Sequence, residues 1–196
     1  MGIRGLIIGL SSSVVAFALT GIAAAGEEPA RPSKSGHDHG EQPKQHTAEL
    51  AKIVRETTRR FRDVNVATAE GYQPMFGCVS GPDDGAMGLH YVNMALVGDP
   101  TLDPRRPEIV IYEPTPNGGR RLIGADYLVL ADAWHATNTN APELMGQLMH
   151  LIESPNRYGL PSFYTLHVWA WKPNPNGAFV NWHPGVSCEE FDGKEQ

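Results

Sequence analysis

The histidine side chains are the groups of this sequence best suited to binding a metal ion or transferring a proton. Imidazole is the commonest neutral-pH metal ligand and a proton carrier near pH 7. Five histidines fall in the stretch whose composition marks it as folded: His90, His135, His150, His167 and His183. Five in one small domain make a metal or acid–base site a hypothesis worth following.

Asp126 adds a carboxylate to these imidazoles. It lies within the apolar run 122–130, and Leu122, Leu128 and Leu130 alternate with it on the same face of a strand. A carboxylate that points into a core is costly unless it is paired or bound to a cation. Asp126 could instead meet solvent on an edge strand, or pair with Arg120 or Arg121.

A metal site of histidines and a carboxylate is therefore predicted. His90, Asp126 and His167 would supply ligands, and His135 or His150 would complete the set. Such nitrogen and oxygen donors suit zinc and copper, and the metal would polarise a substrate oxygen or activate water. No HxH, HExxH or CxxC spacing occurs in this part of the chain, so the hypothesis depends on folding to bring distant residues together.

The segment 140–153 predicts a second helix with one polar face. At helical spacing Glu143, Gln147 and His150 share a narrow stripe opposite an apolar one. This face could complete the metal site, with Gln147 lining its pocket and Glu143 or Asp126 acting as catalytic base. It could equally face water.

An aromatic wall is predicted beside His167. On the strand predicted over 163–171, alternation puts His167 and Trp169 on one face, where imidazole and indole could line a pocket. Tyr91 and Trp134 are further candidates for its lining. His167 could also be a core histidine satisfied by one hydrogen bond.

Two other classes of function fit these residues. A non-catalytic binding protein would hold a small ligand against the aromatic wall, or carry copper with Met87 and Met94, since thioethers favour Cu(I). A structural envelope protein would use its histidines only for hydrogen bonds in the core. The sequence has no Gly-x-Ser-x-Gly, no P-loop and no GxGxxG after a strand, so motif evidence for nucleophilic or nucleotide chemistry is lacking.

The elements that must position these residues form an α+β pattern. A helix is predicted over 47–71, since apolar residues recur there at spacings of three and four. Strands are predicted over 89–95, 108–113, 122–131 and 163–171, with Asn117-Gly118 as a hairpin turn. Residues 72–88, rich in Gly, Pro and Asp, predict a long loop. The expected fold is a curved antiparallel sheet with two main helices.

The N-terminal residues predict export. Residues 1–25 combine a positive start, a short apolar run and a stretch of alanines, as in a cleaved signal peptide. Residues 26–46 predict a flexible, histidine-containing linker with weak capacity for metal, and 47–192 a single domain. A periplasmic or secreted protein is expected, with no membrane attachment after cleavage.

Length and charge restrict the partners. The 196 residues, 41% of them hydrophobic, suffice for one packed core. A formal net charge of −6 with only 16 basic residues argues against a nucleic-acid partner, so a small molecule or a metal ion is expected. A mean hydropathy of −0.31 excludes a polytopic membrane protein.

The two cysteines, Cys78 and Cys188, predict a disulfide. An oxidising compartment would preserve the bond. In the chain-entropy model, closing a loop of this length stabilises the fold by about 4.7 kcal/mol. A reactive thiol or metal thiolate is the alternative, but neither cysteine has another nearby in sequence.

Four sequence blocks resemble a family of bacterial exported proteins of unassigned function. They are GAMGLHYVN (85–93), AWHA (133–136), GQLMHL (146–151) and LPSFYTLHVWAW (160–171). The resemblance runs over 72–188 and implies that His90, His135, His150 and His167 belong to the family's pattern. It implies no activity, and it makes His183 the weakest candidate because Asn is more usual at that position.

Overall fold

The computed structural model describes residues 41–193. The predicted signal peptide (1–25) and residues 26–40 of the predicted linker lie outside the described residues. The remaining linker residues, 41–46, belong to the first helix, which therefore begins earlier than the apolar periodicity indicates. Within the described range, no helix is long and apolar enough to cross a membrane.

The described chain has an α+β architecture, as predicted. The helices are α1 (Glu41–Thr58), α2 (Val64–Ala69), α3 (Met94–Val97) and α4 (Ala131–His135). The strands are β1 (Gln73–Gly81), β2 (Gly85–Val92), β3 (Ile109–Thr115), β4 (Gly119–Leu130), β5 (Glu143–Leu144), β6 (Gln147–Leu148), β7 (His150–Ile152) and β8 (Phe163–Val168). Six strands form one antiparallel, strongly curled sheet in the order β1-β2-β3-β4-β8-β7.

The predicted first helix packs on one face of this sheet. Its apolar residues Leu50 and Val54 are buried against Tyr127 and Leu166. The single helix predicted over 47–71 is divided in the structure, since α1 ends at Thr58, a 3₁₀ turn follows at Arg59–Arg62, and α2 begins at Val64 after the extended Asp63. The helical period of the sequence therefore identifies a true core-facing stripe.

The predicted hairpin is also confirmed. Strands β3 and β4 pair from Ile109↔Asp126 to Thr115↔Gly119, around a turn at Pro116–Gly118. Asn117 has φ 68° and Gly118 has φ 74°. Both are left-handed conformations that Asn and Gly adopt more readily than other residues.

The loop predicted over 72–88 is wrong, because β1 and the first half of β2 occupy it. The edge position of β1 tolerates Pro74, whose missing N–H is not needed there. The register shifts between Met75 and Cys78, where Phe76 and Gly77 have positive φ. Turn-forming residues thus mark a β-bulge rather than an irregular loop.

The helix predicted over 140–153 is also wrong. The segment forms the small hairpin β5–β6, with Glu143 opposite Leu148, and then β7, which pairs with β8. Met145 and Gly146 both have positive φ, at 49° and 78°, as a two-residue hairpin turn requires. Leu144 in the hairpin and Met149 directly after it are buried. Burial in the folded protein therefore decides the conformation of this segment against its helical spacing of apolar residues.

The opposite face of the sheet is covered by the C-terminal segment, here residues 169–188. Its Trp169 and Val186 pack against Ile109, Leu128 and neighbouring apolar residues. The predicted Cys78–Cys188 disulfide is present and fastens this segment to β1. A second tie runs from the Nζ of Lys172 to Oε1 of Glu113 on β3, at 2.6 Å. The segment is thus anchored over the face that carries the candidate site.

Candidate metal centre

Three of the predicted ligands meet on the face under the C-terminal segment. His90 comes from β2, Asp126 from β4 and His167 from β8. One potential ligand atom of each lies within 4.8 Å of those of the other two. All three are buried, with exposed fractions of 3%, 4% and 0%. Residues as far apart in sequence as His90 and His167 therefore share one enclosed position.

The curl of the sheet produces this convergence. Asp126 and His167 are direct partners in the β4–β8 ladder, whereas β2 is separated from β8 by both β3 and β4. In a flat sheet three strand spacings would put β2 and β8 about 14 Å apart. The ring centroids of His90 and His167 are only 6.5 Å apart, because both side chains extend into the concave face.

His90 is oriented by a backbone carbonyl. Its Nδ1 lies 3.2 Å from the carbonyl oxygen of Gly88, which can only accept, so Nδ1 carries the proton and Nε2 keeps its lone pair. Gly88 has φ +99°, and a Cβ there would lie 2.5 Å from the carbonyl oxygen of Tyr112. Burial lowers the pKa of His90 to about 4. The ring is therefore neutral at pH 7, as a metal ligand must be.

His167 is the most unusual residue of the group. Both of its ring nitrogens are buried without a hydrogen-bond partner in the described part of the chain. Burial holds its pKa well below the ordinary value. The indole of Trp169 lies 4.3 Å away, centroid to centroid, at an interplanar angle of 32°. The ring is thus held by aromatic packing, while its polar atoms carry an uncompensated desolvation cost.

Asp126 is held by β8. Its Oδ1 accepts a hydrogen bond from Oγ1 of Thr165 at 2.6 Å. Burial raises its pKa to about 7, although the Thr165 hydroxyl and the backbone amides of Leu166 and Tyr127 favour the ionised form. The predicted alternative pairing with Arg120 or Arg121 does not occur, since Nη1 of Arg120 donates to the carbonyls of Gly118 and Gly119 and Arg121 bonds Glu113. A nearby cation would hold the carboxylate ionised.

His183 lies close to the group without joining it. Its ring centroid is 4.9 Å from that of Trp169. The backbone N–H of Gly185 donates to its Nδ1 at 2.9 Å, and its Nε2 donates to the carbonyl of Pro173 at 3.1 Å. Both nitrogens are committed to hydrogen bonds, so His183 supports Trp169 rather than offering a ligand.

The other predicted site residues lie elsewhere. His135 is exposed and bonded to the Tyr164 hydroxyl at 2.9 Å. His150 on β7 and Glu143 on β5 are both exposed. Because the helix predicted over 140–153 does not exist, its polar face does not exist either. The expectations that His135 or His150 completes the ligand set and that Glu143 acts as base are therefore not met.

Of the predicted pocket aromatics, only Trp169 lies beside the group. Tyr91 is on the other face of the sheet, 4.9 Å from the ring of Tyr112, because it alternates with His90 along β2. Trp134 donates its indole N–H to the carbonyl of Asn140. Gln147 is half-buried in the small hairpin.

A pocket next to the group is lined by His90 and Asp126, as predicted, but not by His167 or Trp169. Sequence reasoning missed three of its other lining residues, Thr165, Phe76 and Tyr158. Thr165 alternates with His167 on β8, which was a usable signal. Phe76 and Tyr158 gave no such signal, because one lies in a bulge and the other in a connecting segment.

No protein-family model, curated protein or solved structure matches the chain.

Proposed function

We propose that this protein binds one divalent transition-metal ion through His90, Asp126 and His167, in the periplasm or outside the cell. The main support is that ligand atoms of three buried side chains lie within 4.8 Å of one another. In addition, both nitrogens of His167 lack hydrogen-bond partners among residues 41–193. A metal bound to one of those nitrogens would remove part of a cost that the fold otherwise bears without compensation.

The spacing suits coordination. Tetrahedral bonds of about 2.0–2.1 Å hold ligand atoms roughly 3.3 Å apart. Binding would require small side-chain rotations to close the remaining distance from the 4.8 Å limit. The hydrogen bonds of the ligand residues are of the kind that orients metal ligands. His90 donates to a backbone carbonyl, and Asp126 accepts from a hydroxyl.

The donor set favours zinc or another borderline ion. Two imidazoles and one carboxylate with an open position are typical of catalytic zinc and also of non-haem Fe(II) sites. Copper(I) would prefer thioethers. Met87 lies on the pocket wall, but Met94 is 53% exposed on α3. The pair of methionines expected for a copper carrier is therefore not assembled.

Three protein ligands leave a coordination position free. This arrangement distinguishes catalytic zinc sites from closed structural ones. A metal at this position would activate water or polarise a substrate oxygen. Asp126 would then act as a ligand, with Thr165 orienting its carboxylate.

Metal stoichiometry tests the proposal. The untagged chain is prepared with His37, His39 and His46 replaced by Ser throughout, so that the N-terminal histidines do not contribute. Zinc, copper or iron(II) is added, excess is removed, and bound metal is measured by mass spectrometry. We expect one equivalent for this background chain and a loss of metal in His167→Ala and Asp126→Asn.

Matched controls come from the exposed histidines. His135→Ala and His150→Ala remove imidazoles of equal chemistry outside the group, so both should keep one equivalent. Full retention of metal by His167→Ala, or no bound metal in the background chain, would overturn the proposal.

A further inference from the structure

A pocket opens from the surface down to the candidate metal centre. His90 and Asp126 lie in its lining, whereas His167 does not. A metal held by the three would therefore have the pocket on the side of His90 and Asp126, and the protein interior around Trp169 on the side of His167. Whatever occupies its free coordination position would extend into this pocket.

The walls of the pocket are apolar. They are formed mainly by Met87, Ile109, Leu128, Ile152, Leu160 and Phe163. Among the lining residues in the described part of the chain, none is a lysine or arginine, and Asp126 is the single carboxylate. The polar side chains of the lining are His90, Asp126, Thr165, Asn181 and Tyr158, whose hydroxyl lies 3.6 Å from the sulfur of Met87. An anionic body would lose its hydration here without meeting a cationic side chain.

The cationic side chain of Arg157, which neighbours the pocket in sequence, is engaged in other contacts. Arg157 lies next to the lining residue Tyr158, but its Nη1 donates to the carbonyl of Ser80 at 3.1 Å. Its guanidinium carbon also lies 5.9 Å from the ring centroid of Trp182. Arg157 is not part of the pocket lining, so it does not turn the pocket into an anion site.

One partly exposed residue of the pocket lining has a strained backbone conformation. Phe76 occupies the β1 bulge with φ 70°, a conformation that is unfavourable for a bulky residue. Its ring lies 5.3 Å from that of Tyr158 and 6.5 Å from that of His90. Strain of this kind persists where surrounding contacts impose it, and it concentrates at ligand sites. The bulge thus places the ring of Phe76 in the pocket lining, close to the candidate metal ligand His90.

From these features we infer that the pocket takes a small, uncharged and largely apolar molecule that ligates the metal through one donor atom. This inference rests on the proposed function, because the donor atom needs the metal. The apolar body contacts the Leu128, Leu160 and Phe163 walls, and the donor atom lies on the side of His90 and Asp126.

Cobalt(II) provides the test, since its visible bands report on the ligand at the free position. The background chain is loaded with cobalt and titrated with pyrazole, 4-methylpyrazole and pyrazole-4-carboxylate. We expect spectral changes with pyrazole, about fourfold tighter binding of 4-methylpyrazole for one buried methyl group, and at least tenfold weaker binding of the carboxylate.

Pocket variants localise the effect. Leu160→Trp fills part of the pocket with a larger side chain. It should abolish the preference for 4-methylpyrazole, while cobalt stoichiometry stays at one. Leu148→Trp is the matched control, since Leu148 is 63% exposed in the small hairpin, and it should behave as the background chain. The selectivity series on the background chain stands by itself if Leu160→Trp does not fold.

The outcomes separate the two proposals. Stoichiometric cobalt with no response to pyrazole, or with equal binding of the carboxylate, overturns this inference and leaves the metal site intact. Absence of bound cobalt overturns the metal site, and the inference with it.

Discussion

Asp126 and His167 are direct partners across the β4–β8 ladder, so both side chains project from the same face of the sheet. Thr165 lies two residues before His167, and its hydroxyl donates a hydrogen bond to Asp126 on that same face. A slip of one residue in this pairing would send the carboxylate and the imidazole to opposite faces. The register of a single strand pair therefore determines whether the candidate centre exists.

Asp126→Asn should separate metal binding from folding. The amide keeps the shape of the carboxyl and an acceptor for Thr165, so the metal-free free energy of unfolding should stay equal or rise by about 1 kcal/mol. Zinc affinity should fall by more than about 100-fold. Chemical denaturation in EDTA and zinc calorimetry measure the two quantities, with exposed Asp132→Asn as the control. Large destabilisation with unchanged zinc affinity would contradict the assignment.

Gly88→Ala should disturb the backbone that orients His90. Both φ +99° and the 2.5 Å approach to the carbonyl of Tyr112 oppose a Cβ there, so we expect a loss of roughly 2–4 kcal/mol in urea denaturation. Gly118→Ala is the matched control, because it shares a positive φ but has open space; its cost should be about 1 kcal/mol. Equal losses in the free energy of unfolding would show that the atoms around Gly88 shift to accept a Cβ at little cost.

Glu108 should make stability fall as pH rises. This residue is 2% exposed, accepts a hydrogen bond from the Leu128 amide at 3.1 Å, and has a pKa that burial raises to about 8. Because the folded pKa lies above the unfolded one, its contribution is complete below about pH 4.5 and is lost as pH increases through 8. Glu108→Gln should gain stability relative to wild type across that range, measured by thermal unfolding between pH 5 and 8.5.

Glu113 provides the comparison of opposite sign. Burial alone would raise its pKa, but the hydrogen bonds from Lys172 and Arg121 outweigh burial and lower it. Its contribution is therefore present above about pH 4.5 and lost as pH falls further. Glu113→Gln should destabilise at pH 7 and lose this effect in acid. Parallel pH profiles for the Glu108 and Glu113 variants would contradict both interpretations.

Loss of the disulfide should destabilise the whole domain. Cys78 and Cys188 close a loop with a sequence separation of 110, and we expect the double Cys→Ser variant to lose about 2–5 kcal/mol in urea denaturation. Reduction of the wild-type protein should produce a similar loss. A change below about 1 kcal/mol in both would show that the C-terminal segment is held by its other contacts alone, such as Lys172 with Glu113.

The errors in the predicted elements have a common cause. Over 140–153, apolar residues at spacings of three and four satisfied a helical pattern, but Gly146 permits the left-handed turn of a hairpin. Over 72–88, Gly and Pro indicated a loop, yet an edge strand with a bulge accommodates both. In each case the partner strand, which is distant or comes later in the chain, decides the conformation.

The sequence alone was sufficient to predict the α+β class, the first core-facing helix, the β3–β4 hairpin and the Cys78–Cys188 bond. Each depends on periodicity, turn residues or residue count, which are properties of short segments or of a single pair. Only the tertiary structure showed that the predicted ligands His90 and His167 come together, and that His135 and His150 lie outside the group. That arrangement comes from strand order and from the curl of the sheet, which bring β2 and β8 together across two intervening strands, and neither property is expressed in the spacing of residues along the chain.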